Sequence, residues 1–192
     1  MDVGAHTRRH MVTLAKLVGP RGMVHAFEPI PSIRLQLAGR LASEAIHNTV
    51  LYPFALSSSD QEVEFHYIPA APEESGIKAR QTYNSAEMTP ELIKLQVKKF
   101  DDLFSTPFDF IKIDIEGDEL DMLAGASRNI ERSRRVIAFE CGANAFLTYH
   151  DRPEEIFDFF EKRGFEVWSI MGDRIEDAAS FRAVSHAQQF WD

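Results

Sequence analysis

Residues 108–130, "FDFIKIDIEGDELDMLAGASRNI", constrain the fold more than any other stretch. The first half is dense in Phe and Ile, as a buried strand is. The second half has helical patterning, with Asp118 and Glu119 in the first turn, where acids favour the helix dipole. A strand that turns directly into a helix must bury both against neighbours of the same kind. The rest of the chain supplies them. Met11, Leu14, Ala15 and Val18 recur at helical spacing and Gly19-Pro20 ends that run. "GMVHAF" reads as a buried strand closing at Glu28-Pro29, where proline keeps the preceding residue out of the helical region. Ser32 can cap a helix carrying Ile33, Leu37, Ala38 and Leu41 on one face, and "TVLYPFAL" reads as a third strand. Later come the strand "RVIAFE", the helix "PEEIFDFFEKRG" with Pro153 at its start and Gly164 as its stop, and the strand "FEVWSI". Strands alternating with helices predict an α/β fold of Rossmann-like type, with a mostly parallel central sheet covered by helices on both faces.

The alternation pauses between about residues 57 and 106. "EVEFHYI" alternates as a half-buried strand, "PAAPEESG" reads as a loop, and "LIKLQVKKF" as a helix end followed by a short strand. This block is expected to be a β-rich insertion in a single domain spanning 1–192. Residues 174–192 suggest no element.

Composition excludes several function classes. A net charge of −9 argues against a nonspecific nucleic-acid binder, which needs clustered cations. No apolar run reaches membrane length and no signal-peptide pattern opens the chain. A single cysteine, Cys141, leaves no internal disulfide and fits a reducing compartment, so a cytoplasmic protein without a membrane partner is expected. Oligomeric state is not legible.

In an open parallel sheet, ligands bind beyond the carboxyl ends of the strands. Asp2, Glu28, Asp114 and Glu140 fall near four such ends. Glu28, closing the second strand, suits both hydroxyls of a nucleotide ribose, and Gly4 and Ala5 let backbone approach such a ligand. In "IKIDIE", Lys112, Asp114 and Glu116 share one face and Ile111, Ile113 and Ile115 the other. The charges therefore belong at the sheet's open edge, with Lys112 paired to Asp114. Either this is a salt bridge orienting the strand end, or Asp114 serves as a base or hydroxyl acceptor.

Together, "DVGAH", "VHAFEPIP", "FDFIKIDIEGDELDMLAGA" and "VIAFE" resemble the FkbM family of S-adenosylmethionine-dependent methyltransferases, from about Asp2 to Ile170. The resemblance implies the class I methyltransferase fold, with a seven-stranded sheet whose last strand is reversed. It implies S-adenosylmethionine as cofactor and methyl transfer to a hydroxyl of a sugar, polyketide or similar small molecule. Asp2, Gly4, Ala5 and His6 fall in the family's cofactor loop. Glu28, followed by Pro29, matches its ribose acid, and Ala55 and Leu56 its segment near the adenine. Lys112, Asp114 and Glu116 fall in its fourth-strand motif and are the candidate catalytic residues. The family usually has Asn where His6 stands and Gly where Arg8 stands. Such transfer requires no metal, although a divalent ion between Asp114 and Glu140 is conceivable by analogy with catechol-type enzymes. A nucleotide-dependent oxidoreductase would share the Glu28 argument but lacks here the full glycine loop, and a non-catalytic binding module derived from the same fold is the other alternative. The few residues before Gly4 predict a first strand cut short, holding Asp2 and Gly4 loosely.

Overall fold

The computed structural model describes residues 1–7, 10–72, 75–78, 89–133 and 135–187. The elements are, in order, β1 (Asp2–Val3), α1 (His10–Val18), β2 (Val24–Phe27), α2 (Pro31–Ser43), β3 (Thr49–Tyr52), β4 (Ala55–Ser57), β5 (Gln61–Tyr67), β6 (Glu91–Lys99) and α3 (Phe100–Leu103). They continue with β7 (Phe110–Ile113), α4 (Glu119–Gly125), α5 (Ser127–Ser133), β8 (Val136–Phe139), α6 (Ala143–Phe146), α7 (Glu154–Glu161), β9 (Val167–Trp168), β10 (Arg174–Ile175) and α8 (Ala178–Ala187).

Five strands form a parallel sheet in the order β3-β2-β1-β7-β8. The chain builds outward from β1 to one side through β2 and β3, then returns to build the other side through β7 and β8. The order therefore reverses between β1 and β7, and a crevice opens beyond their carboxyl ends. β1 has only two residues, yet it lies mid-sheet: Asp2 pairs with Ala26 and Lys112, and Val3 with Phe27 and Ile113. Backbone bonds extend it at both ends, from Lys112 N–H to Met1 O, Asp114 N–H to Val3 O, and the amides of Gly4 and Ala5 to Phe27 O. The short strand is thus firmly held.

One core cluster joins Val3, Phe27, Ile111 and Ile113 from the sheet to Met122 and Leu123 of α4 and to Ile156, Phe157 and Phe160 of α7. A second lies beneath α1 and α2 and includes Met11, Ala15, Leu37 and Leu41, residues that the helical spacing places on one face. β4, β5 and β6 form a smaller mixed sheet, ordered β4-β6-β5, with β4 parallel and β5 antiparallel to β6.

Several elements differ from their sequence-based expectations. "TVLYPFAL" is not one strand: Pro53 and Phe54 separate β3 from β4, which belong to different sheets. Proline lacks the amide that a continuous ladder needs. "LIKLQVKKF" is almost wholly strand, because β6 pairs along seven residues with β5, a partner whose position the local pattern could not show. The helix after Pro29 begins at Pro31, with Ile30 at the capping position and no side-chain cap; proline suits the first helical turn, and Ser32 Oγ instead lies 3.3 Å from Tyr67 Oη. The helix expected over 118–130 is broken at Ala126 into α4 and α5. The implied seven-stranded sheet is not seen among the described residues: β9 and β10 form an antiparallel pair of their own. Residues 174–187, left without an element, hold β10 and α8, and Phe181 of α8 is buried in the main core. Much of the polar stretch before Pro90 lies outside the described residues.

α4 approaches the small sheet so closely that a Cβ on Gly125 would lie 2.1 Å from the Ser57 carbonyl oxygen. In a helix, alanine is normally favoured over glycine by about 1 kcal/mol. Here overpacking against backbone, costing about 1–3 kcal/mol, outweighs that gain. Gly125→Ala is expected to lower the urea midpoint; a raised midpoint would show that α4 and β4 can separate freely.

Candidate functional site

Beyond the carboxyl ends of β1, β2 and β7 lies a cavity of about 770 Å³, part of it open to solvent. Gly4, His6, Glu28, Pro29, Ala55, Leu56, Asp114 and Glu116 all line it, so the structure gathers eight of the sequence-derived site residues around one space. Asp2, Ala5 and Lys112 do not line it. Asp2 and Ala5 are buried beneath the loop, and Lys112 points its ammonium among the strand ends.

The Lys112 ammonium organises that floor. It lies 3.0 Å from Asp114 Oδ2, 3.3 Å from the Gly4 carbonyl oxygen and 3.5 Å from Asp2 Oδ1. Lys112, Asp114 and Glu116 do not all share one strand face, because β7 stops at Ile113 and Glu116 sits in the following turn. Asp2 is completely buried and its carboxylate oxygens accept no hydrogen bond among the described residues. Burial raises its pKa, opposed by Lys112 and His10. Gly4 has φ +77°, and a Cβ there would lie 1.8 Å from the Asp114 carbonyl oxygen. Only glycine lets the loop cross the end of β7 so closely.

Glu28 binds the same loop from the other side. Oε2 accepts the His6 amide at 3.0 Å and Oε1 the Ile30 amide at 2.9 Å, while Arg34 donates to the carbonyl oxygens of Glu28 and Pro29. His6 has φ +45°, a left-handed conformation that Asn, Asp and His adopt more readily than other non-glycine residues. A backbone requirement therefore makes histidine a suitable residue at this position. Burial pushes the Glu28 carboxyl up to about 7, against the two amide bonds that favour its charged form. Each oxygen keeps a lone pair for a further donor. Arg8 lies outside the described residues.

The turn after β7 is built around a second buried carboxylate. Glu119 Oε1 accepts the amides of Ile115 and Gly117, both at 3.1 Å, and burial holds its pKa at about 7. This wraps Ile115, Glu116 and Gly117 over the start of α4, with Glu116 at φ +62° and Gly117 at φ +117°. Asp118 lines the cavity, is hydrogen-bonded to Ser57 Oγ at 3.2 Å, and is raised to about 8 by burial and then by Asp121. The carboxylates of Asp114, Glu116 and Glu140 have oxygens within 4.8 Å of one another, a grouping able to hold a cation. Burial pushes the Cys141 thiol strongly upward, which leaves it unreactive.

Sequence reasoning missed Phe65, Ser75, Ile77, Asp118 and Tyr149 as cavity residues. Three of them come from the 57–106 block, and nothing local says that this block folds over the strand ends. Tyr149 follows α6 and carries no motif. Asp118 carried a usable signal: it adjoins the turn glycine in the segment that most resembles the family.

Residues 2–167 match the family model described as the methyltransferase FkbM domain. The chain belongs to the methyltransferase FkbM domain family. No curated protein matches it. The fold is similar to the crystal structure of methyltransferase FkbM from Methylobacillus flagellatus KT, with a TM-score of 0.56 and 18% identity over 84% of this chain. The present FkbM domain spans 35% of that longer chain. No helix of the described residues is long and apolar enough to cross a membrane.

Glu28, Glu119 and Asp118 together set a pH dependence. Each binds its proton more tightly folded than unfolded, from ordinary values of 4.5, 4.5 and 3.8 to about 7, 7 and 8. Their contribution is therefore full below about pH 4 and is lost as pH rises through about 8. Asp118→Asn should flatten the fall in stability, most clearly above about pH 8, where both glutamates are mostly ionised and Asp118 still titrates. Urea unfolding across that range checks this, and an unchanged slope in the variant would remove Asp118 from the account.

Proposed function

We propose that this domain is an S-adenosylmethionine-dependent O-methyltransferase acting on a hydroxyl of a sugar, polyketide or similar small molecule. The observation that carries the reading is that Glu28 and Asp114 face one cavity from opposite sides of the point where strand order reverses. Methyltransferase family membership supports reading the first acid as a ribose ligand and the second as the group facing the acceptor.

The residues present fit the cofactor. The loop carrying Gly4 bends sharply without a side chain, and Glu28 retains lone pairs for two hydroxyl donors. Pro29, Ile30, Leu56, Phe65 and Ile77 give the region beyond Glu28 an apolar wall suited to a flat base. When bound, S-adenosylmethionine supplies an electrophilic methyl carbon on a sulfonium. The protein's share is to hold the acceptor oxygen in line with that carbon and to draw off its proton. Asp114 is the group assigned to the hydroxyl. Lys112 fixes its orientation through the 3.0 Å ion pair, and Glu116, across the turn, bounds the same space. Asp114 and Glu116 give this side of the cavity an acidic character, which disfavours phosphorylated or carboxylated acceptors and favours neutral or cationic ones.

Glu28→Gln should weaken S-adenosylhomocysteine binding by about 1.5–3 kcal/mol, the range for hydrogen bonds to a charged group. Hydroxyl donors prefer the carboxylate, so affinity should also tighten as pH rises through about 7 in the wild type and not in the variant. Calorimetry decides both; equal affinities would withdraw the ribose assignment. Mass spectrometry of cofactor carried through purification offers an independent check.

Asp114→Asn should lower turnover by roughly a hundred- to ten-thousandfold while leaving cofactor affinity nearly unchanged. A folded variant with normal turnover would reduce Asp114 to a salt-bridge partner of Lys112.

A further inference from the structure

Asp118, Asp121 and His150 meet where the start of α4 faces the turn after α6. Asp118 holds the capping position of α4 and Asp121 lies three residues on, a spacing that puts both carboxylates on one side of the helix. The turn after α6 brings His150 against them. Its amide donates to Phe146 O at 2.9 Å and its ring packs on Phe146, with centroids 4.8 Å apart. A carboxylate oxygen from each aspartate and an imidazole nitrogen all lie within 4.8 Å of one another. Asp118 also lines the cavity.

Three observations point to an ion at this place. His150 Nε2 is buried and makes no hydrogen bond among the described residues, with Asp121 Oδ2 3.7 Å away. Buried ring nitrogens normally have a partner, so this one calls for a ligand. The Asp118 carboxyl stands within hydrogen-bonding reach of the Asp121 carboxyl. Like charges that close repel unless a proton or a cation lies between them. The charged groups acting on the His150 ring are Asp121, Glu155 and Asp151 against Lys78, a balance that favours a cation. Ser57 Oγ meanwhile donates to Asp118 Oδ2 at 3.2 Å and holds that carboxylate in place, as outer groups do for metal ligands.

We propose that Asp118, Asp121 and His150 bind a first-row divalent metal ion of the zinc class beside the cavity. Ligand type selects the class: an imidazole with two carboxylates suits zinc and its neighbours, whereas calcium and magnesium take oxygen ligands. Spacing agrees. Bonds of about 2.0–2.2 Å at tetrahedral angles place ligand atoms about 3.4 Å apart, close to the 3.7 Å between His150 Nε2 and Asp121 Oδ2. Three protein ligands leave a position open for water or a bound molecule, and Asp118 places the ion at the cavity's margin. Asp114, Glu116 and Glu140 form a separate group with oxygen ligands only, so the imidazole distinguishes the two. The site stands independently of the cofactor reading.

Zinc alone, titrated calorimetrically into the chelator-treated whole chain, tests this. The wild type should bind a single ion. His150→Gln removes the imidazole and Asp121→Asn removes a charge. Each should weaken zinc binding about tenfold or more, since even groups that only orient a ligand contribute about 10–100-fold. Glu140→Gln, in the other acidic group, should bind zinc as the wild type does. In isotope-labelled wild-type protein, zinc should shift the Nε2 resonance of His150 and leave the other histidine rings unchanged. Zinc should raise the melting temperature of the wild type and of Glu140→Gln, and of neither ligand variant. No zinc binding by the wild type would overturn the proposal, as would undiminished binding in both His150→Gln and Asp121→Asn. Binding lost only in Glu140→Gln would place the ion at the strand-end acids and overturn it equally. Should a ligand variant fail to fold, the histidine resonances of the wild type decide: a shift confined to His150 supports the site, and an unshifted His150 removes it.

Discussion

The Lys112 ammonium is the interaction on which the site depends. It rises from β7 and reaches Asp2 on β1, the carbonyl oxygen of Gly4 in the loop, and Asp114 at its own strand's end. One part-buried cation therefore ties the central strand, the first loop and the candidate catalytic acid into a single unit. A two-residue strand has little ladder of its own, so this clamp and the backbone bonds from β2 and β7 together define where Gly4 lies. Removing one partner of such a group leaves uncompensated charge out of water, which is far more costly than never having buried it.

Two buried glutamates extend the same logic to the loops. Glu28 gathers the amides of His6 and Ile30, and Glu119 gathers those of Ile115 and Gly117. In both cases a carboxylate replaces the regular hydrogen bonds that the backbone gives up at a strand end. Residues at positive φ accompany each: Gly4 and His6 in one loop, Glu116 and Gly117 in the other. The cavity is thus bounded by two turns, each shaped from within by an acid. Both acids are held near neutrality by burial, so the shape of the site and its protonation are linked.

Much of the parallel sheet was legible because its strands are short apolar runs bounded by glycine, proline and acids, and its helices repeat at helical spacing. Glu28 and Asp114 were legible for a related reason: a charged residue at the end of an apolar run has to reach solvent or a ligand. The break between β3 and β4 was missed, although Pro53 lay in view, because the flanking residues all favour strand. β6 was misjudged because its pairing along β5 is non-local. Asp118, Ser75 and Tyr149 carry no periodicity that would mark them as cavity residues.

The order of apolar runs, glycines and strand-end acids along the chain determined an α/β fold and identified the loops where a ligand site could form, because periodicity and turn chemistry are properties of neighbouring residues. Only the tertiary structure decided which charges meet. Lys112 could have paired with Asp114 alone, as the strand pattern suggests; contact with Asp2 exists because β1 enters the sheet beside β7. The small sheet could have packed anywhere on the surface; it brings Phe65, Ser75 and Ile77 to the same cavity as Tyr149, from a distant turn, and Lys78 donates its amide to Tyr149 Oη. Contacts between residues far apart in the chain depend on how the elements pack, and no local pattern of residues specifies that.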